Sequence, residues 1–560
     1  MPQMLNESMT SPKRPFFSGD DRRSMTATLD SRQLTAKLGE ASTLLELLSL
    51  HQAHGSQFDG YNMAAFWSRF KKLAHGELGG LSDRLVPVCE QTARMLPELD
   101  ARQVANVAHA FAKSKLVGRG PYQVVWVALE EMARRRVGAF DKQQLSNTAW
   151  AFAKAGREAP ELFDVISADV VRRGPGDFNE QALSNMAWAF ATAGHAAPTL
   201  FHLISAEVVR RGLDDFNEQT LSNTAWAFAK AGRVAPALFN IISAEVVRRG
   251  LGGFKEQELS NTAWAFATAG YKAPALFEII SAEVVRRGLS HFNAQHLSIT
   301  AWAFARANRA APALFDLISA EIVRRGLVKF KKQNLSNTAW AFAKAKRAAP
   351  ALFDLISAEV VRRGLGGFNA QDLSNTAWAF AKANRAAPAL FDIISAEMVR
   401  RGLCDFNEQN LSNTAWAFAQ AKRAAPALFD IISAEMVRRG LDVFNEQTLS
   451  NTAWAFAKAN RASPALFDLI SAEVVRRGLG DFNAQDLSNT VWAFATTGRE
   501  APVLFDIILA EVVLRGLNSF NAQDLSNLAW AFAVLNPPSA DKLFSMASFT
   551  TRCAHLETSL

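Results

Sequence analysis

Tryptophan recurs every 38 residues over most of this 560-residue sequence, from Trp150 to Trp530. An interval that never varies indicates one structural unit copied end to end. A unit of this size cannot bury its own apolar face, so neighbouring copies are expected to stack and share a continuous core. The series is Trp150, Trp188, Trp226, Trp264, Trp302, Trp340, Trp378, Trp416, Trp454, Trp492 and Trp530.

Each copy carries the signals of two helices, as the third copy (residues 216–253) shows. Asn217 is a good N-cap, and Leu221 and Phe228 lie on one apolar stripe of the helix that follows. Gly232 can take the left-handed conformation that ends this helix, and Pro236 suits the first turn of a second one. We therefore predict an all-α protein, a right-handed α-solenoid of about eleven 38-residue helix hairpins over residues 140–535.

Divergent copies precede the regular array. Residues 104–113 resemble a first helix with His109 in place of tryptophan, residues 62–74 resemble another, and residues 42–50 are amphipathic. Terminal repeats must differ from inner ones because their outer faces meet water. We expect residues 37–139 to form N-terminal capping repeats.

The two ends of the sequence lack the repeat. Residues 1–36 are rich in Ser, Thr, Arg and Pro, which suits either a disordered tail or the remnant of an organelle-targeting peptide. The repeat breaks at Asn536, and we expect residues 536–560 to form a C-terminal cap with a variant helix up to about Cys553.

Composition limits the classes of function. A formal charge of +8 and a pI near 9.4 favour an anionic partner. Cys89, Cys404 and Cys553 share no metal-ligand spacing, and no apolar run is long enough to span a membrane. The nine histidines form no catalytic pattern with serine or acidic residues. We expect no enzyme activity, metal, cofactor or membrane partner, and a monomer.

One position varies while its neighbours stay constant, and we call it the variable column. It lies just before the constant leucine of each first helix. In the third copy Thr220, Asn223, Ala227 and Lys230 have the spacing i, i+3, i+7, i+10, which predicts a common face. The variable column contains Gln144, Ala182, Thr220, Glu258, His296, Asn334, Asp372, Asn410, Thr448, Asp486 and Asp524.

Two further columns are predicted to share that face. The asparagine column contains Asn147, Asn185, Asn223, Asn261, Asn337, Asn375, Asn413, Asn451, Asn489 and Asn527, with Ile299 in the fifth copy. The cation column contains Lys154, Lys230, Arg306, Lys344, Lys382 and Lys458. Such a face is typical of a reader of single-stranded RNA: the variable residue and asparagine would contact base edges, and the cations would contact phosphates.

A second basic row follows the first helix of most copies and is a further candidate for phosphate contact if it lies on the same surface. It contains Arg157, Arg233, Arg309, Arg347, Arg385, Arg423, Arg461 and Arg499.

Structural interpretations compete with these assignments. The variable column is also helix position N3, where acidic residues complete a capping arrangement. The asparagines could instead bond to the neighbouring hairpin, and the tryptophans are expected to pack between repeats. The doubled arginines, such as Arg248 and Arg249, favour a solvated helix end paired in part with glutamate.

The hairpin with LSNTAWAFAK in its first helix and AP-x-LFD-x-I-x-x-E-x-x-RR in its second resembles the octotricopeptide-repeat proteins of algal organelles, including chloroplast translation factors. The resemblance covers about residues 100–535. Residues 42–74 are similar to the leader of such arrays, which is related to FAST-kinase-like organellar RNA proteins. Many of these proteins end in a RAP domain, a nuclease-like module, whereas this sequence ends about 30 residues after Trp530, so we expect no RNA cleavage.

The resemblance implies an α-solenoid in a chloroplast or mitochondrion that binds particular transcripts and governs their processing, stability or translation. Base recognition in the family lies in the first helix, which would transfer to the variable and asparagine columns. The implied partners are single-stranded RNA and other organellar RNA-processing or ribosomal proteins. The competing class is a peptide-binding scaffold with the geometry of armadillo and HEAT repeats, which would also suit a cytoplasmic protein.

Overall fold

The computed structural model describes residues 29–74, 79–118, 120–538 and 540–544, and the regular secondary structure of these residues is helical. The chain forms two compact units, Met1–Arg173 (unit 1) and Gly174–Leu560 (unit 2). The first regular copy therefore belongs to unit 1 with the divergent repeats, and copies two to eleven belong to unit 2. In the described residues no helix is both long and apolar enough to cross a membrane.

Unit 1 contains eight α-helices in its described part, which follow one another as hairpins. The odd-numbered helices pack on one another in sequence, and the even-numbered helices form a second layer. They are α1 (Ser31–Glu40), α2 (Leu44–His54), α3 (Gly60–Leu73), α4 (Ser82–Met95), α5 (Ala101–Lys113), α6 (Pro121–Arg136), α7 (Lys142–Lys154) and α8 (Pro160–Arg173). Short 3-10 turns are Gly55–Gln57, Gly79–Leu81, Leu96–Glu98 and Val137–Ala139.

Helix α1 begins inside the segment that we expected to be a tail. Asp30 caps it by accepting a hydrogen bond from the backbone of Gln33, and Leu34 and Leu38 are buried. The prediction of an irregular segment up to residue 36 is therefore wrong for residues 31–36, because a capped helix with an apolar stripe packs there on α3. Residues 1–28 lie outside the described residues.

Unit 2 contains ten first helices with neighbouring hairpins stacked in sequence order. They are α9 (Glu180–Ala193), α11 (Glu218–Lys230), α13 (Glu256–Ala269), α15 (Ala294–Arg306), α17 (Lys332–Lys344), α19 (Ala370–Lys382), α21 (Glu408–Gln420), α23 (Glu446–Lys458), α25 (Ala484–Thr496) and α27 (Ala522–Leu535). First helices of adjacent hairpins pack on each other extensively, while second helices contact each other less.

The second helices of unit 2 all begin at a proline. They are α10 (Pro198–Arg211), α12 (Pro236–Arg249), α14 (Pro274–Arg287), α16 (Pro312–Arg325), α18 (Pro350–Arg363), α20 (Pro388–Arg401), α22 (Pro426–Arg439), α24 (Pro464–Arg477) and α26 (Pro502–Arg515). A 3-10 turn (Leu517–Ser519) precedes α27, and α28 (Ala540–Phe544) follows it. The part of the predicted final helix beyond residue 544 lies outside the described residues.

The predicted local signals set the helix ends. The side chain of Asn217 accepts a hydrogen bond from the backbone N–H of Thr220 at 2.9 Å and caps α11. After the end of α11, Gly232 has a φ of 63°. The backbone N–H of Arg233 then donates a hydrogen bond to the carbonyl of Phe228 at 2.9 Å. This bond satisfies one of the carbonyls that the end of a helix leaves open. The predicted start of the second helix at Pro236 is confirmed.

Phenylalanine rings join consecutive hairpins in the core of unit 2. The ring of Phe239 in α12 meets that of Phe266 in α13 edge to face, with centroids 5.0 Å apart, and later hairpins repeat this contact. Both rings are fully buried. Burial of such a side chain contributes about 1.5–3 kcal/mol, so neighbouring hairpins stabilise each other. This arrangement confirms the predicted α-solenoid.

Candidate nucleic-acid interface

The variable column does not face an open groove. Eight of its eleven side chains are buried: Ala182, Thr220, Asn334, Asp372, Asn410, Thr448, Asp486 and Asp524. Gln144, Glu258 and His296 are half-buried. The predicted exposure is wrong for those eight, because side chains in a helix lean toward the N-terminus, and here they lean into the seam between first helices of adjacent hairpins.

Polar side chains of the variable column bond across that seam. The Nδ2 atom of Asn334 donates to Ser298 Oγ of the preceding hairpin at 3.1 Å, and Asn410 bonds in the same way to Ser374. Between α25 and α27, the last two first helices, the hydroxyl of Ser488 donates to Asp524 Oδ1 at 3.0 Å. The column therefore links neighbouring hairpins in the free protein.

The same side chains also cap their helices. The backbone N–H of Asn369 donates to Asp372 Oδ2 at 3.3 Å, and that of Asn483 donates to Asp486 Oδ2 at 3.2 Å. Burial raises the pKa of both aspartates above the ordinary value. The capping interpretation accounts for these acidic residues.

Another set of first-helix residues forms the solvent-facing surface of unit 2. In α11 these residues are Gln219, Asn223, Trp226 and Lys230, with the spacing i, i+4, i+7, i+11 that places them on one side of a helix. Gln219 and Lys230 are exposed, and Asn223 and Trp226 are half-buried. Ala227, which we predicted on the binding face, is fully buried. We call the surface built from these four positions in α9 to α27 the amide–tryptophan face.

Two columns of the amide–tryptophan face were missed as binding candidates. Its glutamine column contains Gln181, Gln219, Gln257, Gln295, Gln333, Gln371, Gln409, Gln447, Gln485 and Gln523, all exposed. Its tryptophan column contains the ten tryptophans from Trp188 to Trp530. The sequence signal for this surface is the i, i+4, i+7, i+11 spacing from glutamine to the cation position.

The asparagine column does lie on the solvent-facing surface. Its members in unit 2, Asn185, Asn223, Asn261, Asn337, Asn375, Asn413, Asn451, Asn489 and Asn527, are half-buried. Gln409 Nε2 donates to Asn413 Oδ1 at 2.8 Å, and the same bond joins Gln181 to Asn185 at 2.9 Å. Each pair of amides has four N–H donors and uses one of them here, so donors and acceptors remain for a ligand.

The tryptophans of unit 2 form a continuous ladder along this face. Neighbouring ring centroids are 5.9 to 6.4 Å apart, and the ring planes are tilted by 28° to 35°. The predicted packing between repeats is confirmed by these contacts. The ladder nevertheless reaches the surface, and Trp530 at its end is 43% exposed.

Cations border the tryptophan ladder. Lys230, Arg306, Lys344, Lys382 and Lys458 are exposed. Lys382 Nζ lies 5.8 Å from the ring centroid of Trp416, and the Arg306 guanidinium lies 5.4 Å from that of Trp302. These distances allow cation–π attraction, which holds positive charge beside the aromatic rings.

The second basic row is largely occupied by protein contacts. Arg347 donates to Asp316 Oδ1 of the preceding hairpin at 2.7 Å, and Arg385 donates to Asp354 at 2.6 Å. Arg423, Arg461 and Arg499 form the equivalent ion pairs. A carboxylate of the preceding second helix pairs with each of these five guanidinium groups, and their phosphate role stays a prediction.

The two arginines at the end of each second helix differ in environment. In α18 the side chain of Arg362 is 65% exposed and pairs with Glu359. Arg363 is 19% exposed, also pairs with Glu359, and donates to the carbonyls of Phe330 and Leu327 at 2.5 Å. The second arginine thus fastens the end of the hairpin to the loop that precedes its first helix.

The first regular copy, in unit 1, carries the same surface residues. Gln143 and Lys154 are exposed, and Asn147 and Trp150 are half-buried. The ring of His109 lies 5.2 Å from that of Trp150, so this histidine occupies a place like that of a tryptophan in unit 2. Burial lowers the pKa of His109 to about 4, which leaves it neutral at pH 7.

The fold and the amide–tryptophan face define a class of protein: an α-solenoid with one continuous polar and aromatic surface on its first helices. The family model of RNA-editing substrate-binding complex 6 protein (RESC6) matches residues 127–329 and 328–537. These matches cover more than half of the chain, and the chain belongs to this family.

A structural match is the chain titled "Homology model of the full-length AP-3 complex in an intermediate open conformation". It is 10% identical, the match covers 93% of this chain and 92% of that chain, and the TM-score is 0.29. A TM-score this low supports no comparison of function.

Proposed function

We propose that unit 2 is a non-catalytic binder of single-stranded RNA and that the RNA lies along the amide–tryptophan face. The observation that carries the proposal is the tryptophan ladder, which is flanked over its whole length by exposed amides and at intervals by cations. Aromatic rings, amides and cations together supply contacts for bases and phosphates. The family, named for an RNA-editing substrate-binding complex, supports RNA as the ligand.

Each kind of side chain has its own part in this binding. The cation column contacts phosphates, and the exposed edges of the tryptophans offer apolar contact to bases. The amides of the glutamine and asparagine columns bond to base edges. About one nucleotide per hairpin, as in other helical-repeat readers, gives a footprint of roughly ten nucleotides on unit 2.

The buried members of the variable column have no direct part in this proposal. Contact between a base and Asp372 or Asn410 would require the first helices to separate, since both side chains are sealed in the seam. An organellar location and partners among RNA-processing or ribosomal proteins accompany the proposal. They rest on the resemblance to organellar repeat proteins, and the family name adds support for an RNA-handling complex.

Salt dependence tests the proposal. Five cations on the face of unit 2 that each neutralise one phosphate give a slope of log Kd against log salt of about 3 to 4. The affinity for a fluorescent pool of random RNA 20-mers should then fall roughly 100-fold between 50 and 200 mM salt. Anisotropy titrations measure this directly. An affinity that is independent of salt would favour the peptide-binding scaffold.

A matched pair of variants locates the RNA. Lys344→Thr, Lys382→Thr and Lys458→Thr combined should lower the slope by about 2, because three phosphate contacts are lost. Threonine occupies this position in Thr192 and Thr268, so the fold tolerates it. The control removes three exposed arginines from second helices: Arg324→Thr, Arg362→Thr and Arg400→Thr. Equal losses in both variants would show that net charge, and not this face, binds the RNA.

A further inference from the structure

Three of the four positions of the amide–tryptophan face are nearly uniform in unit 2, and only the position of the cation column differs widely between copies. The variable column, by contrast, is mostly sealed. Glutamine and tryptophan occur in all ten copies of unit 2, and asparagine occurs in nine of them. The column that differs between copies has eight of its members buried in the protein. An RNA on the amide–tryptophan face therefore meets nearly the same chemical groups at every hairpin.

A surface with the same side chains at every hairpin is limited in the RNA sequences that it can distinguish. Helical-repeat readers distinguish bases by different side chains at successive repeats, with about one base per repeat. Amides discriminate between base edges through their donor and acceptor pattern, whereas stacking on aromatic rings accepts every base. If each hairpin presents the same amides, each hairpin favours the same base.

We propose that the preferred ligand of unit 2 is a run of one kind of base, and not a site of mixed sequence. This inference rests on the proposed RNA-binding function and specifies its ligand. A small preference at each hairpin is sufficient: about twofold per repeat multiplies to roughly 500-fold over nine well-separated repeats. Unit 2 would then select RNA by base composition, and it could bind a long run of one base at several positions.

The fifth copy interrupts the amide pattern. Ile299 replaces asparagine in α15 and offers no hydrogen bond to a base edge. Three asparagine hairpins precede it in unit 2, and six follow it, from Asn337 to Asn527. The longest uninterrupted stretch of hairpins with the same glutamine, asparagine and tryptophan therefore suits a run of about six nucleotides.

Selection from a random pool tests the inference without assuming which base is preferred. The full chain is incubated with random RNA 20-mers, and the retained molecules are sequenced. We expect enrichment of runs of six or more of one base at variable places in the 20-mer. A single mixed-sequence motif would overturn the inference, and so would retention without enrichment, although RNA binding itself would still stand. Retention of no RNA at all would overturn the proposed function as well.

Variants in the asparagine column and in the variable column show which of the two columns determines the base preference. Ile299→Asn should tighten binding of the selected run by roughly threefold to tenfold, the worth of one added hydrogen-bonded contact. Asn375→Ile should weaken it by a similar factor and change affinity for mixed RNA less. The control is Asn410→Thr in the sealed column, where Thr220 and Thr448 show that threonine fits.

The control defines the opposite result. If Asn410→Thr changes the base preference and Asn375→Ile does not, recognition belongs to the variable column and the inference is wrong. Circular dichroism and thermal melting of each variant show whether a lost affinity reflects unfolding. Ile299→Asn keeps the test informative in any case, because it predicts a gain in affinity that an unfolded protein cannot give.

Discussion

In several first helices the side chain at position N3 has two local partners, and both lie within the protein. The side chain of Asn410, for example, accepts a hydrogen bond from the backbone N–H of Asn407 at its own helix N-terminus and donates one to Ser374 of the preceding hairpin. Asparagine meets both demands without charge. Asp372 and Asp486 meet the first demand but place a carboxylate in the seam, where burial raises the pKa of each.

The substitution Asp372→Asn should therefore stabilise unit 2. It removes a buried charge and gives Ser336 the amide donor that Asn410 gives Ser374, an interaction worth about 0.5–1.5 kcal/mol. Urea denaturation monitored by circular dichroism measures the change, and Asn410→Asp should shift the midpoint in the opposite direction. The base preference of bound RNA should stay the same, because the side chain of Asp372 is sealed in the seam.

The paired arginines offer a second comparison at the scale of single residues. Arg363→Ala should cost about 1–3 kcal/mol, because it removes the side-chain donor to the carbonyls of Phe330 and Leu327 and a partner of Glu359. The carbonyl of Leu327 keeps the backbone N–H of Phe330 as a donor. Arg362→Ala, one residue earlier and largely exposed, should cost clearly less, because its ion pair with Glu359 lies in solvent. Equal costs in urea denaturation would show that the carbonyl contacts do not stabilise the hairpin.

At the scale of elements, the end of each second helix is a compact cluster of charge. One glutamate accepts hydrogen bonds from both arginines, as Glu245 does from Arg248 and Arg249. The arginines also lie at the helix C-terminus, where positive charge is favourable. Hydrogen bonds from Arg248, and then from Arg249, lower the pKa of Glu245 from 4.5 to about 2.

Unit 2 should accordingly lose stability in acid. A carboxylate with a folded-state pKa below its unfolded value stabilises the protein above the unfolded value, here 4.5, and this contribution is lost as pH falls toward 2. Eight glutamates behave in this way: Glu207, Glu245, Glu283, Glu321, Glu359, Glu397, Glu435 and Glu473. Asp372 and Asp486 have the opposite sign, but they are fewer.

The measurement is the urea midpoint at pH 7, 4, 3 and 2.5. We expect little change above pH 5 and a steep fall below pH 4.5. Replacement of several of these glutamates by glutamine should lower the urea midpoint at pH 7. It should also make the fall of the midpoint below pH 4.5 smaller. A midpoint that stays constant down to pH 2.5 would show that the carboxylate–arginine clusters do not contribute to stability.

At the scale of the whole molecule, unit 2 behaves as a stack in which each hairpin contacts its neighbours. The buried phenylalanine contacts and the tryptophan ladder repeat at every junction. The stability of such a stack is close to a sum of repeat and junction contributions. Its ligand footprint should scale with the number of hairpins in the same way.

Removal of one complete repeat tests that scaling. Deletion of residues 369–406 takes out 38 residues and brings together two junctions of the same sequence type. The shortened protein should still melt cooperatively, and the shortest RNA that binds at full affinity should lose about one nucleotide. Deletion of two repeats should shorten it by about two. An unchanged minimal length would disprove the assignment of one nucleotide to each hairpin.

The sequence by itself determined the repeat, the helix pairs and the helix ends. These depend on local chemistry: Asn217 as a cap, Gly232 at a positive φ and Pro236 at a first turn lie where the pattern placed them. The period of 38 residues required stacking, because a lone hairpin leaves its apolar face in water. The helix of residues 31–40, next to a segment without the repeat, went unpredicted.

The tertiary structure alone decided which side of the first helix meets solvent. Thr220 and Gln219 are adjacent in sequence and both polar, yet one is sealed in the seam and the other is exposed. The distinction depends on where the preceding hairpin packs, and a helical wheel of one hairpin does not contain that information. For the same reason the sequence suggested that Asp372 and Asn410 face solvent, whereas packing of the neighbouring hairpin buries both and leaves the glutamines and tryptophans at the surface.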